Sequence, residues 1–274
     1  MFRLTIFIFL TLSTQIAASQ NIFSALHLNE DREYKTAKPK KIVETNTFFN
    51  SRGKQVDRNI KTFDAAGMLL TEERYDESGK LKAKLVYTND TANKLKLTRT
   101  IERWTNIGYS KYTAYYTYDV NNFLVGTTDK DATGNVITET KLICNERGHP
   151  VELLIFDGKG NSFGKEVATY FYDKNRVATA VISNDGRILS SDTIKISFKE
   201  VGSFASDKEV YNLNGDLVIW SRRNLDNTET IFEGVYSYDE FGNCTESRIY
   251  EITVKANGKR KKERDRIFKR EYSY

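Results

Sequence analysis

Carboxylates are the most numerous groups in this chain that could do chemistry, and aspartates recur in one sequence context. Each of six directly follows an aromatic residue: Asp64, Asp76, Asp119, Asp157, Asp173 and Asp239. Paired carboxylates can hydrolyse glycosides, one acting as acid and the other as base or nucleophile. One structural role explains six equivalent positions better than six catalytic roles, so we interpret these aspartates as turn residues.

Other catalytic groups are sparse. The two histidines, His27 and His149, are far apart in the sequence. A His-Glu-x-x-His zinc motif and a Gly-x-Ser-x-Gly nucleophile motif are both missing from the sequence. We therefore expect no enzyme activity, no catalytic residue, no metal site and no cofactor.

Tyrosine is the group in excess, with 16 copies. Seven tyrosines at alternating strand positions are candidates for contact with a ligand: Tyr112, Tyr116, Tyr118, Tyr170, Tyr172, Tyr236 and Tyr238. Cross-strand aromatic pairs stabilise a sheet by about 0.2–1 kcal/mol each, which is the structural alternative. Exposed on a concave face, the same side chains could instead stack on sugar rings or on a partner protein.

Two cysteines, Cys144 and Cys244, leave two alternatives open. In an exported protein they could form a disulfide, and closing a loop of about 100 residues would contribute about 4–5 kcal/mol in the chain-entropy model. They could equally be two buried thiols.

The aspartates belong to a repeated turn of the form aromatic, Asp, two residues, Gly. An Asp oxygen can accept a backbone N–H two residues later, and Gly adopts the positive φ that other residues avoid. The glycines that complete the pattern are Gly67, Gly79, Gly160, Gly215 and Gly242. Most turns follow one another after 10–16 residues, which is one strand plus one turn.

Between the turns, polar and apolar residues alternate with period 2, as in 111–118 and 232–238. The pattern predicts an all-β fold, an antiparallel meander of repeated hairpins over residues 41–274 that forms a curved or rolled sheet. Whether this sheet is open or closed is left undecided. Residues 20–40 are predicted to be an N-terminal segment, either a short helix or extended, with 21–34 as the best helical candidate.

The N-terminus has the features of an export signal. Arg3 precedes the apolar run 4–12, and small residues at 17–19 suit cleavage before Gln20. The run is shorter than the roughly 20 residues that span a bilayer, so we expect no transmembrane segment. Residues 1–19 are therefore predicted to be a signal peptide, with the mature protein in the periplasm, on the outer surface or secreted.

Charge is concentrated in residues 255–270, which contain nine Lys/Arg and two Asp/Glu within a chain of net charge +5. A basic stretch can bind nucleic acid or an anionic surface. Because the charges surround the turn at 256–259, we interpret them as a solvated hairpin. Export also argues against nucleic acid as a partner.

The turns, together with the doublets Tyr116-Thr-Tyr118-Asp119, Tyr170-Phe-Tyr172-Asp173 and Tyr236-Ser-Tyr238-Asp239, resemble the tyrosine-aspartate repeats of the RHS/YD-repeat family. The resemblance covers about residues 41–274. It implies a spiralling β sheet and, among short exported members, a role in the bacterial envelope. A weaker similarity to MORN-like antitoxin repeats is seen at Gly67-x-x-x-x-Glu72 and Gly79-Lys-Leu81.

The sequence therefore favours an exported, non-enzymatic β-repeat protein that acts as a binding or interaction module at the cell envelope. The partner is unknown, with an envelope glycan or a protein as the two candidate classes. Two alternatives remain: a carbohydrate-active enzyme on a β scaffold, and an antitoxin-like or immunity-like partner of an exported toxin.

Overall fold

A computed structural model describes residues 21–26, 28–29, 36–51, 53–195, 209–223, 229–254 and 260–274. The predicted signal peptide, His27 and most of the segment 27–35 lie outside these residues. One α-helix, α1 (Ile22–Leu26), precedes 17 strands. The strands are β1 (Lys41–Asn50), β2 (Gly53–Phe63), β3 (Leu69–Tyr75), β4 (Leu81–Asp90), β5 (Leu95–Thr105), β6 (Gly108–Tyr118), β7 (Leu124–Asp131), β8 (Val136–Cys144), β9 (Pro150–Asp157), β10 (Ser162–Phe171), β11 (Arg176–Ile182), β12 (Ile188–Lys195), β13 (Val210–Tyr211), β14 (Leu217–Arg223), β15 (Glu229–Tyr238), β16 (Cys244–Val254) and β17 (Arg260–Ser273).

The strands form one antiparallel 17-stranded meander, which confirms the predicted all-β fold. Hydrogen-bonded registers run without interruption from β1 to β12 and from β13 to β17. The last strand then pairs with the first, with Lys41 opposite Ser273 and Phe48 opposite Arg266. Within the described residues, β12 and β13 each have one register partner, β11 and β14.

Chain length shows that this sheet is rolled. If the sheet were flat, β12 and β13 would lie at opposite edges, about 77 Å apart at roughly 4.8 Å per strand. The 14 residues 196–209 join them, and a fully extended chain of that length reaches only about 50 Å. The two edges must therefore curve toward each other.

The hairpin turns share one hydrogen-bond pattern, which nine described turns follow. The first residue donates its N–H to the carbonyl of the residue four positions later, and the fourth residue donates its N–H back to the first carbonyl. These turns begin at Asp64, Asp76, Asp119, Asp131, Asn145, Asp157, Ser183, Asn212 and Asp239. In the turns that begin with Asp or Asn, the side-chain oxygen also accepts one or two backbone N–H groups, which at Asp239 are those of Phe241 and Asn243.

The fourth position of this turn requires a positive φ. Gly242 has a φ of 77°, and Asn122, which replaces glycine in the turn after Asp119, has a φ of 65°. The turn at Asp173 is different, because Tyr172–Lys174 form a 3-10 turn and Asn175 is the left-handed residue, with a φ of 47°. Asp173 thus lies in a turn, as predicted, but in a tighter one without glycine.

The first experiment concerns Gly242. Replacing it with Val should lower the free energy of unfolding by about 1–3 kcal/mol, because a β-branched residue resists a φ of 77°. Lys111→Val is the control, since Lys111 is exposed on a strand and its ion pair with Glu102 is at the surface. Denaturant unfolding of both variants gives the comparison, and equal values would contradict the role assigned to this turn.

The larger cluster of buried apolar side chains lies where α1 packs on the sheet, and a smaller one on β4 and β5 contains Ala83, Leu85 and Ile101. Ile22 and Ala25 of the helix contact a cluster on β6–β11 that includes Leu142, Leu153 and Val177. The Ile22 N–H donates to Glu166 Oε2 at 2.8 Å, which fixes the start of the helix against β10. We call the sheet face that carries this cluster the inner face.

Helices in the described ranges are short: α1 has five residues, and none is long and apolar enough to cross a membrane.

Candidate binding site on the inner face

Tyrosines of the doublets form hydrogen bonds that hold turns in place at the end of the sheet where β1 begins. The first tyrosine of the doublets at Tyr170 and Tyr236 donates to the carbonyl directly after a turn. Tyr170 donates to Pro150 O at 2.8 Å, and Tyr236 donates to Leu217 O at 2.6 Å. Burial raises the pKa of Tyr236 to about 12, so this hydroxyl remains a donor at neutral pH.

The second tyrosine of these two doublets forms a hydrogen bond with a side chain of the same turn. The Tyr172 hydroxyl accepts from Asn145 Nδ2 at 2.8 Å, and the Tyr238 hydroxyl donates to Asp216 Oδ2 at 2.6 Å. His149 belongs to this arrangement, because its Nδ1 lies 2.9 Å from the Tyr172 hydroxyl. These hydroxyls are therefore engaged in hydrogen bonds that stabilise the turns.

The doublet on β6 differs, because neither of its tyrosines is bonded to a hairpin turn in this way. Tyr118 donates to Lys96 O at 2.8 Å, and Tyr116 is 8% exposed within the core cluster. The Tyr112 hydroxyl is buried and has no hydrogen-bond partner. Since the doublets lie on β6, β10 and β15, which are not neighbours, the seven tyrosines do not form one stripe.

The cysteines occupy positions of the same repeat. Cys144 is the last residue of β8, and its Sγ lies 3.4 Å from Leu124 O, the carbonyl directly after the turn at Asp119. Cys244 directly follows the turn at Asp239, and its carbonyl accepts from the Tyr272 hydroxyl at 2.8 Å. Both residues are thiols in this structure, on strands β8 and β16. Burial raises the pKa of the Cys144 thiol.

A charged pair on the inner face was missed by the sequence reasoning. Glu44 and Arg270 face each other across β1 and β17 at 2.7 Å, with side chains 12% and 17% exposed. Burial raises the pKa of Glu44, but Arg270 and Lys61 outweigh burial, and the pKa lies below its ordinary value. Glu44 is therefore an ionised, buried carboxylate at neutral pH.

Glu44 also accepts hydrogen bonds from two amide side chains beside it. Asn46 Nδ2 lies 3.2 Å and Asn59 Nδ2 3.5 Å from Glu44 Oε1. Asn46 is only 7% exposed, and its Oδ1 is buried without a hydrogen-bond partner. A buried amide oxygen that lacks a donor costs free energy, so this atom is a local cost to the stability of the fold.

A cleft of about 930 Å³ opens beside these amides, toward the end of the sheet where β1 ends. This volume lies within the range of ligand-binding pockets. Its lining is polar and comes from β1, β2, β3, the turn after β3 and Lys82 at the start of β4. Four carboxamides line it: Asn46, Asn50, Gln55 and Asn59. Phe48 and Tyr75 are the two aromatic residues of the lining.

Sequence alone carried a weak signal for this cleft. In β1, polar residues at 44 and 46 alternate with Val43 and Thr45, but the latter are not apolar enough to identify the inner face. Only the register, which places Asn46 opposite Asp57 and Glu44 opposite Asn59, brings these polar groups together.

No protein-family model matches this chain, and no curated protein matches it. Among solved structures, the chain is similar to a porin-like protein from Bacteroides uniformis, with 11% identity and a TM-score of 0.48. That similarity covers 88% of this chain and 100% of the other. It is also similar to a domain described as an outer membrane lipoprotein-sorting protein from Vibrio parahaemolyticus. Here the identity is 8% and the TM-score 0.15, over 63% of this chain and 90% of the other.

Proposed function

We propose that this chain is an exported, non-enzymatic binding module of the bacterial cell envelope, and that its ligand occupies the cleft on the inner face. The polar cleft beside Asn46 is the observation that carries this proposal, since it combines a ligand-sized volume with a lining of carboxamide and charged side chains. The export features of residues 1–19 support the location. The turn and doublet contacts support the resemblance to tyrosine-aspartate repeats.

The repeat residues favour binding over catalysis. The recurring aspartates hold turns: the Ser78 hydroxyl and two backbone N–H groups lower the pKa of Asp76 to about 2. Such a carboxylate stays ionised and is a poor general acid or base near neutral pH. The described residues also contain no group of three or more side chains that could hold a metal ion.

Localisation and activity are tested together on protein from the native host. The mature chain should begin near Gln20 and be recovered outside the cytoplasm, whereas an intact Met1 would contradict export. Purified mature protein should not turn over ester, peptide, phosphate or glycoside substrates. Glycan hydrolysis that a single Asp or Glu substitution abolishes, with the fold intact, would replace this proposal with the enzyme alternative.

A further inference from the structure

A smaller cavity of about 420 Å³ lies next to the cleft and shares Arg74 and Lys82 with it. Its lining also includes Arg103, and none of the other described residues that line it is charged. The lining of this cavity therefore has three cations and, among the described residues, no carboxylate. We infer that the cavity binds a tetrahedral oxyanion, a phosphate or sulfate group, carried by the ligand of the cleft, an inference that rests on the proposed function.

Strand register places the two arginines on either side of a gap in the inner face. Ala83 of β4 lies opposite Arg74 of β3 on one side and opposite Arg103 of β5 on the other. The three side chains therefore lie on the same face of the sheet, in one row across three strands. At roughly 4.8 Å between strands, the two arginine backbones are about 10 Å apart. Because the alanine side chain is short, the space between the two guanidinium groups stays open to a small ligand group.

Arg74 keeps available donors although it is paired. Its Nε donates to Glu72 Oε1 at 2.7 Å, and the side chain of Arg74 is 49% exposed whereas that of Glu72 is 10% exposed. A guanidinium group has five N–H donors in a planar fork, and the two terminal NH₂ groups of Arg74 have no hydrogen-bond partner among the described residues. Glu72 thus fixes the position of Arg74, and solvent-accessible N–H groups remain for a ligand.

Arg103 is the cation of this cavity that lacks an acidic partner. None of the described residues forms an ion pair or a hydrogen bond with its guanidinium group, and the residue is exposed. Its guanidinium carbon lies 5.9 Å from the centre of the Tyr112 ring, which is within the range of a cation–π contact. This contact restrains the side chain over the inner face and leaves all five N–H donors to a bound anion.

Two guanidinium forks on opposite sides favour a phosphate or sulfate group over a carboxylate. Arginine binds such anions through two parallel N–H···O bonds, so each fork engages two oxygens. A carboxylate has only two oxygens, and a single fork satisfies them. A tetrahedral oxyanion projects oxygens in several directions and can accept from both arginines at once. Lys82, which is paired with Asp76 at 3.3 Å, is the third cation of the lining.

The test is a titration of the isotope-labelled mature protein with inorganic phosphate, inorganic sulfate and acetate at constant ionic strength, followed by nuclear magnetic resonance. We expect phosphate or sulfate to shift the Nε–H signals of Arg74 and Arg103 and the amide signal of Ala83. Acetate at the same concentration should shift these signals much less. The tighter of the two tetrahedral anions identifies which group the ligand carries.

Substitution of Arg103 tests the site without disturbing the fold, because the residue is exposed. Arg103→Gln should weaken binding of the tighter anion by about tenfold or more, since the charge-assisted hydrogen bonds of one fork are lost. Arg103→Lys should recover only part of this affinity, because lysine keeps the charge but has no planar fork.

Arg264→Gln is the matched control. Arg264 is also exposed, its guanidinium carbon also lies over an aromatic ring, that of Phe49 at 5.4 Å, and it lines neither cavity. This variant removes the same charge from the protein, so its affinity for the anion should stay within about twofold of that of the unaltered protein.

The outcomes separate this inference from the proposed function. Equal losses in Arg103→Gln and Arg264→Gln, binding of acetate as tight as that of phosphate and sulfate, or unshifted Arg74 and Arg103 signals would each overturn the oxyanion site. The binding module would stand after any of these results, with an uncharged ligand in the larger cleft. Substrate turnover or retention in the cytoplasm would instead overturn the proposed function, whereas the phosphate and sulfate titrations would still report on the site.

Discussion

Replacing Arg270 with Leu is expected to lower the free energy of unfolding at pH 7 by about 3–5 kcal/mol, because the substitution leaves a buried carboxylate without its cation. Glu44 and Arg270 are both largely buried and hydrogen-bonded at 2.7 Å. Lys61 remains near Glu44 but contributes less than Arg270 to lowering its pKa. Denaturant unfolding measures the loss.

The same variant should show a characteristic pH dependence. In the unaltered protein the pKa of Glu44 is lowered on folding, so its contribution to stability is present above the unfolded pKa and is lost as pH falls through the folded pKa. In Arg270→Leu, burial dominates and raises the pKa of Glu44. Protonation of Glu44 at low pH then removes the free-energy cost of burying its charge. The difference between the two proteins should therefore begin to shrink as pH falls from 7 through the raised pKa of the variant, and should continue to shrink through the ordinary pKa of a glutamate, about 4.3.

Glu44→Gln with Arg270→Leu is the control, since the pair is replaced without leaving either charge. This double variant should recover part of the lost stability at pH 7 and show little difference in pH dependence at this site. If Arg270→Leu loses as much stability at pH 4 as at pH 7, the ionised pair at the β1–β17 junction is not what stabilises it.

Replacing Leu153 with Ala is expected to cost about 2–5 kcal/mol, the range for a buried leucine that leaves a cavity. Leu153 is fully buried on the inner face of β9, in the cluster that holds α1. Because α1 packs mainly on β9 and β10, the variant should also loosen the helix, seen as faster amide hydrogen exchange at Ala25.

The neighbouring residue provides the control. Leu154 is on the other face of the same strand and is partly exposed, so Leu154→Ala removes the same atoms at lower cost. Unfolding by urea compares the two. Equal losses would mean that the face carrying α1 is not the buried one.

Some features of this fold could be predicted because their causes are local. The turn at Asp239 needs only the five residues 239–243: a carboxylate that accepts two N–H groups and a glycine that adopts a φ of 77°. The alternation of polar and apolar residues over 111–118 likewise depends only on neighbours within one strand. The turn at Asp173 differs because its four-residue loop, with Asn175 in the left-handed conformation, leaves no place for the longer pattern.

Contacts between residues distant in sequence were not predictable. The roles of the doublet tyrosines depend on turns 20 or more residues earlier, as for Tyr170 and Pro150. Cys144 was considered as half of a disulfide, yet its repeat position places its thiol beside Leu124 O, and nothing in the local sequence distinguishes these two roles. Ligand contact by the doublet tyrosines stays a prediction.

By itself, the sequence determined that this chain makes hairpins of repeated length, because turn geometry and strand alternation arise within about a dozen residues. Only the tertiary structure decided which face is inner and what lies on it. Glu44 and Arg270 are 226 residues apart, and Ile22 and Glu166 are 144 apart. The first pair meets because β17 lies beside β1, and the second because α1, which precedes β1, packs on β10 on the inner face of the curved sheet. No single segment encodes either arrangement.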